Sequence, residues 1–450
     1  MDRPLRVAVV GAGPSGLYAA DALLSQENVP LTVDVIDRLP TPFGLVRYGV
    51  APDHFSIRSV RDKLDGIFER PGIRFLGNVE VGKDLTWTQM EHYYDAVILA
   101  YGASRDRELG IPGEDLPGSI AATDLVNWYT GHPDMPPDAF TELLAGSHSV
   151  AVIGVGNVAV DVTRVLSKCA NEIEHTDMPE HVFAALRGSG VREVHLIGRR
   201  GPAQANWTTK ELRELGELEE CGIVVDEGAQ VDDPASMTAI ASDKATARNV
   251  AVIEEWLARP PTSHPRMIHV HFRSRPVEIR GTGRVQEIVL ERTTIDEEGR
   301  ASGTGDLHAI PVDVVVRSVG YRGLPLEGLP FDADRHVIPN VEGRVMDGSD
   351  VRHGLYVTGW IKRGPSGIIG TNKKCAVQTV SAVLADASEG LLDRANDPDP
   401  ESVMIALAHV DVVDHEGWRR IDAAERSLGE RAGRDRTTLH DRSDLIAASR

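Results

Sequence analysis

Cysteine is scarce in this chain. Only Cys169, Cys221 and Cys375 occur in 450 residues, and no two are close neighbours. A disulfide framework, a zinc site or an iron–sulfur cluster needs closely spaced or more numerous thiols, and dithiol chemistry at a cofactor needs a paired cysteine. The sequence therefore predicts no metal site and three structural thiols in a reducing compartment. Positive charge is also in deficit. Lys and Arg number 48 against 68 Asp and Glu, a net charge of −20, which argues against nucleic acid or an anionic membrane as the main partner, since both are bound through basic surface. No apolar run approaches the ~20 residues of a membrane-crossing helix. The opening MDRPLRVAVVGAG enters a strand without a leader-like stretch, so a cytoplasmic protein is expected.

What the chain has in quantity is glycine at strand ends. RVAVVGAGPSG (6–16) and SVAVIGVGNVAV (149–160) are each an apolar strand that breaks into a glycine turn and opens a helix. In such a βαβ unit the first glycine permits the tight turn and the second lets a pyrophosphate approach the backbone. The third residue must be small for helix and strand to touch. The free N–H groups and dipole of the helix N-terminus attract the anion. Gly11, Gly13 and Gly16 fill these places in the first unit, and Gly154, Gly156 and Ala159 in the second.

The two units end their second strands differently. LTVDVID finishes on Asp37, where a carboxylate accepts hydrogen bonds from the adenosine ribose hydroxyls. EVHLIGRRG offers Arg199 and Arg200 instead, and two guanidiniums bind a 2′-phosphate that a carboxylate would repel. Two different dinucleotides are expected, FAD at the first turn and NADP at the second, with hydride passing from nicotinamide to flavin.

Between these signals, PTPFGLVRYGVAPDH is too rich in Pro and Gly for a helix or central strand. YDAVILAYGA and VDVVVRSVGYRG read as buried strands ending in Gly102 and Gly320. A helix is expected over Val158 to Leu166 and another over Glu180 to Leu186. MIHVHFRSRPVEIRG and RVQEIVLERTTID alternate and read as antiparallel strands. His269 and His271 would share one strand face without a third ligand nearby. GLYVTGWIKRGPSGIIGTNKKCA is a strand, a glycine-rich turn and a helix from near Thr371. A helical stretch surrounds Trp418, and the charged tail from Ser427 reads as solvated surface or partly disordered.

LPTPFGLVRYGVAPDH, FLGNVEVG, GNVAVDVTRVL, IGRRGPAQ, KELREL, VVVRSVGYRG and GWIKRGPSGIIGTNKK together resemble the adrenodoxin reductase family of ferredoxin–NADP reductases, including its bacterial members, from residue 5 to about 376. The resemblance implies an α/β fold of two Rossmann-like three-layer nucleotide-binding domains, glutathione-reductase-like, with the NADP domain inserted into the FAD domain. Boundaries follow at 1–107 for the first part of the FAD domain, 108–324 for the NADP domain and 325–450 for the second part with its tail. Matching blocks imply that Ser15, Asp37, Leu45, Val81, Trp360, Gly367, Ile368 and Ile369 join Gly11, Gly13 and Gly16 at FAD. They imply Arg107, Val155, Gly156, Asn157, Val158, Arg199, Arg200, Glu211 and Gly367 at NADP, with Gly367 where nicotinamide meets flavin. His54 and Asp161 match positions near the reacting rings and are the candidate catalytic pair.

The implied activity is oxidation of NADPH with delivery of single electrons to a ferredoxin-type iron–sulfur protein, by a monomer or weak oligomer. An NADPH-dependent flavin monooxygenase is the alternative, although the sequence offers no dedicated substrate domain. An acidic ferredoxin needs a basic docking face, for which the sequence offers Arg199, Arg200, Lys210 and Arg213, and a second group of Lys362, Arg363, Lys373 and Lys374. One departure from the family stands out. Asn206-Trp207 replaces a smaller, more apolar pair after RRGP, so access near the nicotinamide is expected to differ.

Overall fold

Apolar residues at alternate positions of successive strands bury both faces of two sheets, and this pattern builds the molecule. The computed structural model describes residues 3–260, 263–367 and 369–450, which divide into two compact units. The first comprises 1–105, 132–134 and 321–450, the second 106–131 and 135–320.

The first unit is built on a seven-stranded sheet in the order Asn340–Val341, Arg344–Asp347, Asp350–Val357, Ala96–Leu99, Leu5–Val10, Leu31–Asp37, Ile73–Gly77. The last five strands of that order run parallel, and the first two form an antiparallel edge. Strand Leu5–Val10 is buried throughout and serves two cores by its period of two. Val7 and Val9 join Leu17, Ala20 and Leu23 of helix Pro14–Leu24 and Val380 and Val383 of helix Ile369–Glu389, while Ala8 and Val10 join Met90, Tyr94, Ile338 and Val403 on the opposite face. Each buried Val, Leu, Ile or Met among them contributes about 1.5–3 kcal/mol.

The second unit carries a six-stranded, wholly parallel sheet in the order Ser119–Ala121, Val314–Arg317, Ser149–Ile153, Glu193–Ile197, Arg266–His271, Cys221–Val225. A three-stranded antiparallel sheet, Ser274–Arg280, Glu287–Ile295 and Ala301–Pro311, packs Ile279, Ile288 and Leu290 against Ala151, Ile153 and Ile197 of the parallel sheet. One expectation needs correction here: MIHVH is not antiparallel. It pairs in parallel with Glu193–Ile197 and Cys221–Val225, and the antiparallel run begins only at Ser274.

The C-terminal tail is a second correction. Helix His415–Arg431 is followed by helix Arg442–Ala448, with Arg436, Thr438 and Leu445 buried. One buried ion-pair cluster anchors it: Glu425 accepts from Arg47 at 2.5 Å and from Arg436 at 2.7 Å, all three side chains being at most 4% exposed.

A short excursion of the chain, His132–Asp134, belongs to the first unit although its flanks belong to the second. The His132 ring packs 4.9 Å from that of Tyr48, and Asp134 takes Arg38 at 2.5 Å and Arg442 at 3.0 Å.

Candidate functional site

The first glycine turn leaves strand Leu5–Val10 through Gly11, whose φ of 112° is left-handed and whose N–H donates to the Ile36 carbonyl at 2.7 Å. A Cβ at Gly11 would lie 2.6 Å from the Ala100 carbonyl oxygen, and one at Gly16 would overlap the Gly11 carbonyl. These two positions hold the turn closed. Gly13 differs, because a Cβ there would find only the Gly44 Cα, at 3.9 Å. It opens helix Pro14–Leu24, which no side chain caps. Backbone donors, the positive helix end and open space thus coincide, which is the donor set a pyrophosphate requires.

Asp37 ends its strand beside this turn, and its carboxylate accepts from the N–H groups of Ala12 at 2.7 Å and Leu39 at 2.9 Å. Burial pushes its pKa above the ordinary carboxylate range, against the pull of those two N–H groups. A carboxylate has about four acceptor sites, so capacity remains for ribose hydroxyls. The anchoring of the turn by Asp37 was not foreseen from sequence.

The loop after this strand folds over the turn. Phe43, at a φ of 83°, donates its N–H to the Ala12 carbonyl at 2.8 Å and packs edge-on to Trp418 at 5.3 Å. Leu45 opens the short helix Leu45–Tyr48. Ser15 is buried in the first turn of helix Pro14–Leu24 against Gly359, which immediately precedes Trp360, and the Trp360 ring lies 5.3 Å from that of Tyr321. The structure thereby gathers Gly11, Gly13, Ser15, Gly16 and Asp37 around one turn, with Gly44 and Gly359, the chain neighbours of Leu45 and Trp360, beside it. Val81 is half-buried on a loop where it bridges Leu85. Gly367 is exposed at a φ of 82°, and Ile369 begins helix Ile369–Glu389, while Ile368 lies outside the described residues.

The second turn repeats the geometry. Gly154 has a φ of 130°, its N–H donates to the Ile197 carbonyl at 2.9 Å, and a Cβ there would overlap the Ser318 carbonyl. Ala159 is fully buried in the third place, and Gly156 faces open space, with nothing within 4 Å of a Cβ. Helix Asn157–Ser167 again has no side-chain cap. Val155, Asn157 and Val158, all half-buried, flank the opening.

Two residues past Ile197 stands the arginine pair. Arg199 is exposed and Arg200 half-buried. Their backbone is pinned by hydrogen bonds from the Thr293 hydroxyl to the Arg199 carbonyl at 2.7 Å and from the Arg273 N–H to the Arg200 carbonyl at 3.1 Å. Burial and then the charge of Arg199 lower the pKa of Arg200. Among the described residues no carboxylate forms an ion pair with either, so two positive charges sit together. Glu211 is buried, and its carboxylate accepts from the Thr208 hydroxyl at 3.0 Å at the start of helix Thr209–Leu215. Arg107 is exposed, and its N–H donates to the Gly320 carbonyl at 2.9 Å.

His54 lies in the first unit, 3% exposed, as the N-cap of the short helix Phe55–Arg58. Asp161 lies in the second, in helix Asn157–Ser167, paired at 2.9 Å with the buried Arg164.

Sequence reading missed His195. It stands opposite His269 in register, its ring stacks 4.8 Å from that of His269, and its Nδ1 lies 3.0 Å from His271 Nε2. Burial and the neighbouring histidines lower its pKa to about 3. The alternation of EVHLI beside MIHVH was the available signal. Among the described residues no group of three side chains is arranged to hold a metal ion. Lys362 corrects a proposed basic cluster: it is buried, and Nζ donates to Gln378 Oε1 at 3.0 Å and Thr379 Oγ1 at 3.1 Å, leaving Lys373 and Lys374 as the exposed cations.

A family described as pyridine nucleotide-disulphide oxidoreductase matches residues 5–254. The chain is 43% identical to the NADPH-ferredoxin reductase FprA of Mycobacterium tuberculosis H37Rv, over 99% of each chain. It is 38% identical to the mitochondrial NADPH:adrenodoxin oxidoreductase of Arabidopsis thaliana, over 99% of this chain and 96% of that one. The structure of Mycobacterium tuberculosis FprA in complex with NADPH superposes with a TM-score of 0.92 at 42% identity, over 99% of this chain and all of that one.

Proposed function

The chain belongs to the pyridine nucleotide-disulphide oxidoreductase family and, within it, to the adrenodoxin reductase group of ferredoxin–NADP reductases, and on that premise we propose that it is an FAD-dependent NADPH:ferredoxin oxidoreductase. The observation that carries this reading is the contrast between two like-built turns, one held by Asp37 and the other followed, past the end of its second strand, by Arg199 and Arg200, which have no carboxylate partner among the described residues.

Gly11, Gly13, Gly16 and the uncapped helix behind them would hold the FAD pyrophosphate, with Asp37 on the adenosine ribose, Ser15, Leu45 and Trp360 around the same turn, and Val81, Gly367 and Ile369 as further contacts. Gly156 and the N-terminus of helix Asn157–Ser167 would hold the NADP(H) pyrophosphate, flanked by Val155 and Val158, with Arg199 and Arg200 on the 2′-phosphate. Glu211 and Arg107 complete that site. When bound, the two cofactors supply hydride transfer and the division of an electron pair into single electrons. His54 and Asp161 belong to the proposal as positioning groups. Asp161 is paired with Arg164 at 2.9 Å, which fixes the direction of its carboxylate.

The electron acceptor in this reading is a ferredoxin-type iron–sulfur protein. Lys373 and Lys374 on one unit, and Lys210 and Arg213 on the other, are exposed cations able to meet an acidic partner. The same reading puts the protein in the cytoplasm, where its three buried, unpaired cysteines stay reduced. The absence of a cysteine pair separates it from the disulfide reductases of its family.

The test begins with the absorption spectrum of the purified protein, which should show flavin. NADPH should then reduce cytochrome c rapidly only when ferredoxin is added. Indifference to every native ferredoxin, with oxygen consumed in proportion to an organic substrate, would overturn the reading in favour of a monooxygenase.

A further inference from the structure

Residues 206–208 run alongside the second glycine turn. Asn206 donates its N–H to the Val155 carbonyl at 3.1 Å and bridges Gly156, and Thr208 donates its N–H to Asn157 Oδ1 at 3.0 Å. This segment is therefore one wall of the space that Gly156 leaves open.

The wall is rigid at its centre. Trp207 is only 5% exposed, its ring meets Phe272 edge-on at 5.9 Å, and its carbonyl accepts from Asn249 Nδ2 at 3.1 Å. Yet its indole Nε1 is a buried donor without an acceptor among the described residues. Buried donors are rarely left so, and the wall is incomplete in hydrogen bonding as the protein alone presents it. Asn206 is the reverse case: its backbone makes the bridge, which any residue can do, while its side chain is exposed at the mouth of the turn. A carboxamide brings two N–H donors and no charge, which matches phosphate oxygens approaching the Gly156 backbone.

We propose that Asn206 is a binding residue for the pyrophosphate linker of NADP(H), held in place by the buried Trp207. The proposal rests on the reading of this turn as the NADP(H) site and deepens it. Arg199 and Arg200 recognise the 2′-phosphate, and Asn206 recognises the portion that only the full dinucleotide carries. The pair thereby divides recognition between the two ends of the ligand's adenosine half.

Calorimetric titration of the FAD-loaded full chain with NADP+ and, separately, with 2′-AMP tests this. Asn206→Ala should weaken NADP+ about tenfold, equivalent to ~1.4 kcal/mol, and leave 2′-AMP unchanged, since that ligand has no pyrophosphate. Asn206→Asp should weaken NADP+ by a further factor of about ten through repulsion. NADP+ affinity unchanged in Asn206→Ala would overturn the inference while leaving the NADP(H) reading intact. Equal weakening of both ligands would overturn it as well, because it would mark a general disturbance of the site. Failure of the unaltered protein to bind NADP+ would overturn both.

Discussion

Ser15 Oγ fills the volume that a side chain at Gly359 would need, and Gly359 holds a φ of 76° that L-residues adopt with difficulty. The helix behind the first glycine turn and the turn that leads into Trp360 therefore meet with no room to spare. Gly359→Ala should cost about 1–2 kcal/mol from backbone conformation alone, and more from the displaced Ser15. A thermal melt should shift downward, and the flavin-to-protein absorbance ratio after gel filtration should fall. An unchanged ratio would count against the placement of FAD at this turn.

Replacing Arg199 and Arg200 together by alanine removes charge-assisted hydrogen bonds of about 1.5–3 kcal/mol each. NADP+ affinity should drop by about two to four orders of magnitude. Affinity for NAD+ should not move, because it has no 2′-phosphate. Equal losses for the two coenzymes would show that the pair acts only by general attraction.

Glu425 accepts from Arg47 at 2.5 and 3.1 Å, from Arg436 at 2.7 Å and from the Leu439 N–H at 2.9 Å. Burial pushes its pKa up, but the two arginines outweigh burial and hold it below the usual carboxylate range. Glu425→Gln strands two buried guanidiniums and should destabilise the protein by about 3–5 kcal/mol. Urea unfolding measures this directly, and a loss under ~1 kcal/mol would match only a solvent-exposed pair.

Stability should also fall on mild acidification. Burial against Tyr48 lowers the pKa of His132 to about 4 from 6.5, with the charges of Arg38, Arg442 and Arg47 adding to it against the pull of the Asp134 carboxylate. Between these values the unfolded chain binds the proton and the folded chain does not, so the contribution is complete above pH 6.5 and is lost as pH falls towards 4, by up to about 3 kcal/mol. The Glu425 contribution disappears later, as pH drops through its lowered value. Unfolding free energies from pH 7.5 to 5 should decline in the parent protein and decline less in His132→Gln, with equal slopes refuting the assignment.

The parts of the molecule written in local pattern were legible beforehand. Gly11 and Gly154 announce themselves by following an apolar strand and preceding a helix, Asp37 by its distance from that turn, and Arg199 by standing just past the end of an apolar strand where the first unit has an acid. Strand direction was not legible at Arg266–His271, because alternation has the same period in parallel and antiparallel pairing. Nor does composition distinguish a solvated charge from a buried pair. Arg436 looks like a tail residue until it meets Glu425, which Arg47, hundreds of positions earlier, also pairs with. Lys362 looks like surface for the same reason, since its two acceptors lie one turn of chain reversal away. The function of Asp37 as an anchor of Ala12 depends on a parallel crossover that no single window of sequence contains.

The detour of His132–Asp134 sets a rule for anyone cutting this gene apart. A contiguous fragment spanning 106–320 would carry those residues away from their hosts, expose an imidazole shaped for an apolar slot, and deprive Arg38 and Arg442 of their shared carboxylate. Splicing the two outer segments without a replacement for Asp134 would leave a scar at the same spot. Modular dissection of this enzyme will succeed only with a graft that restores those three residues.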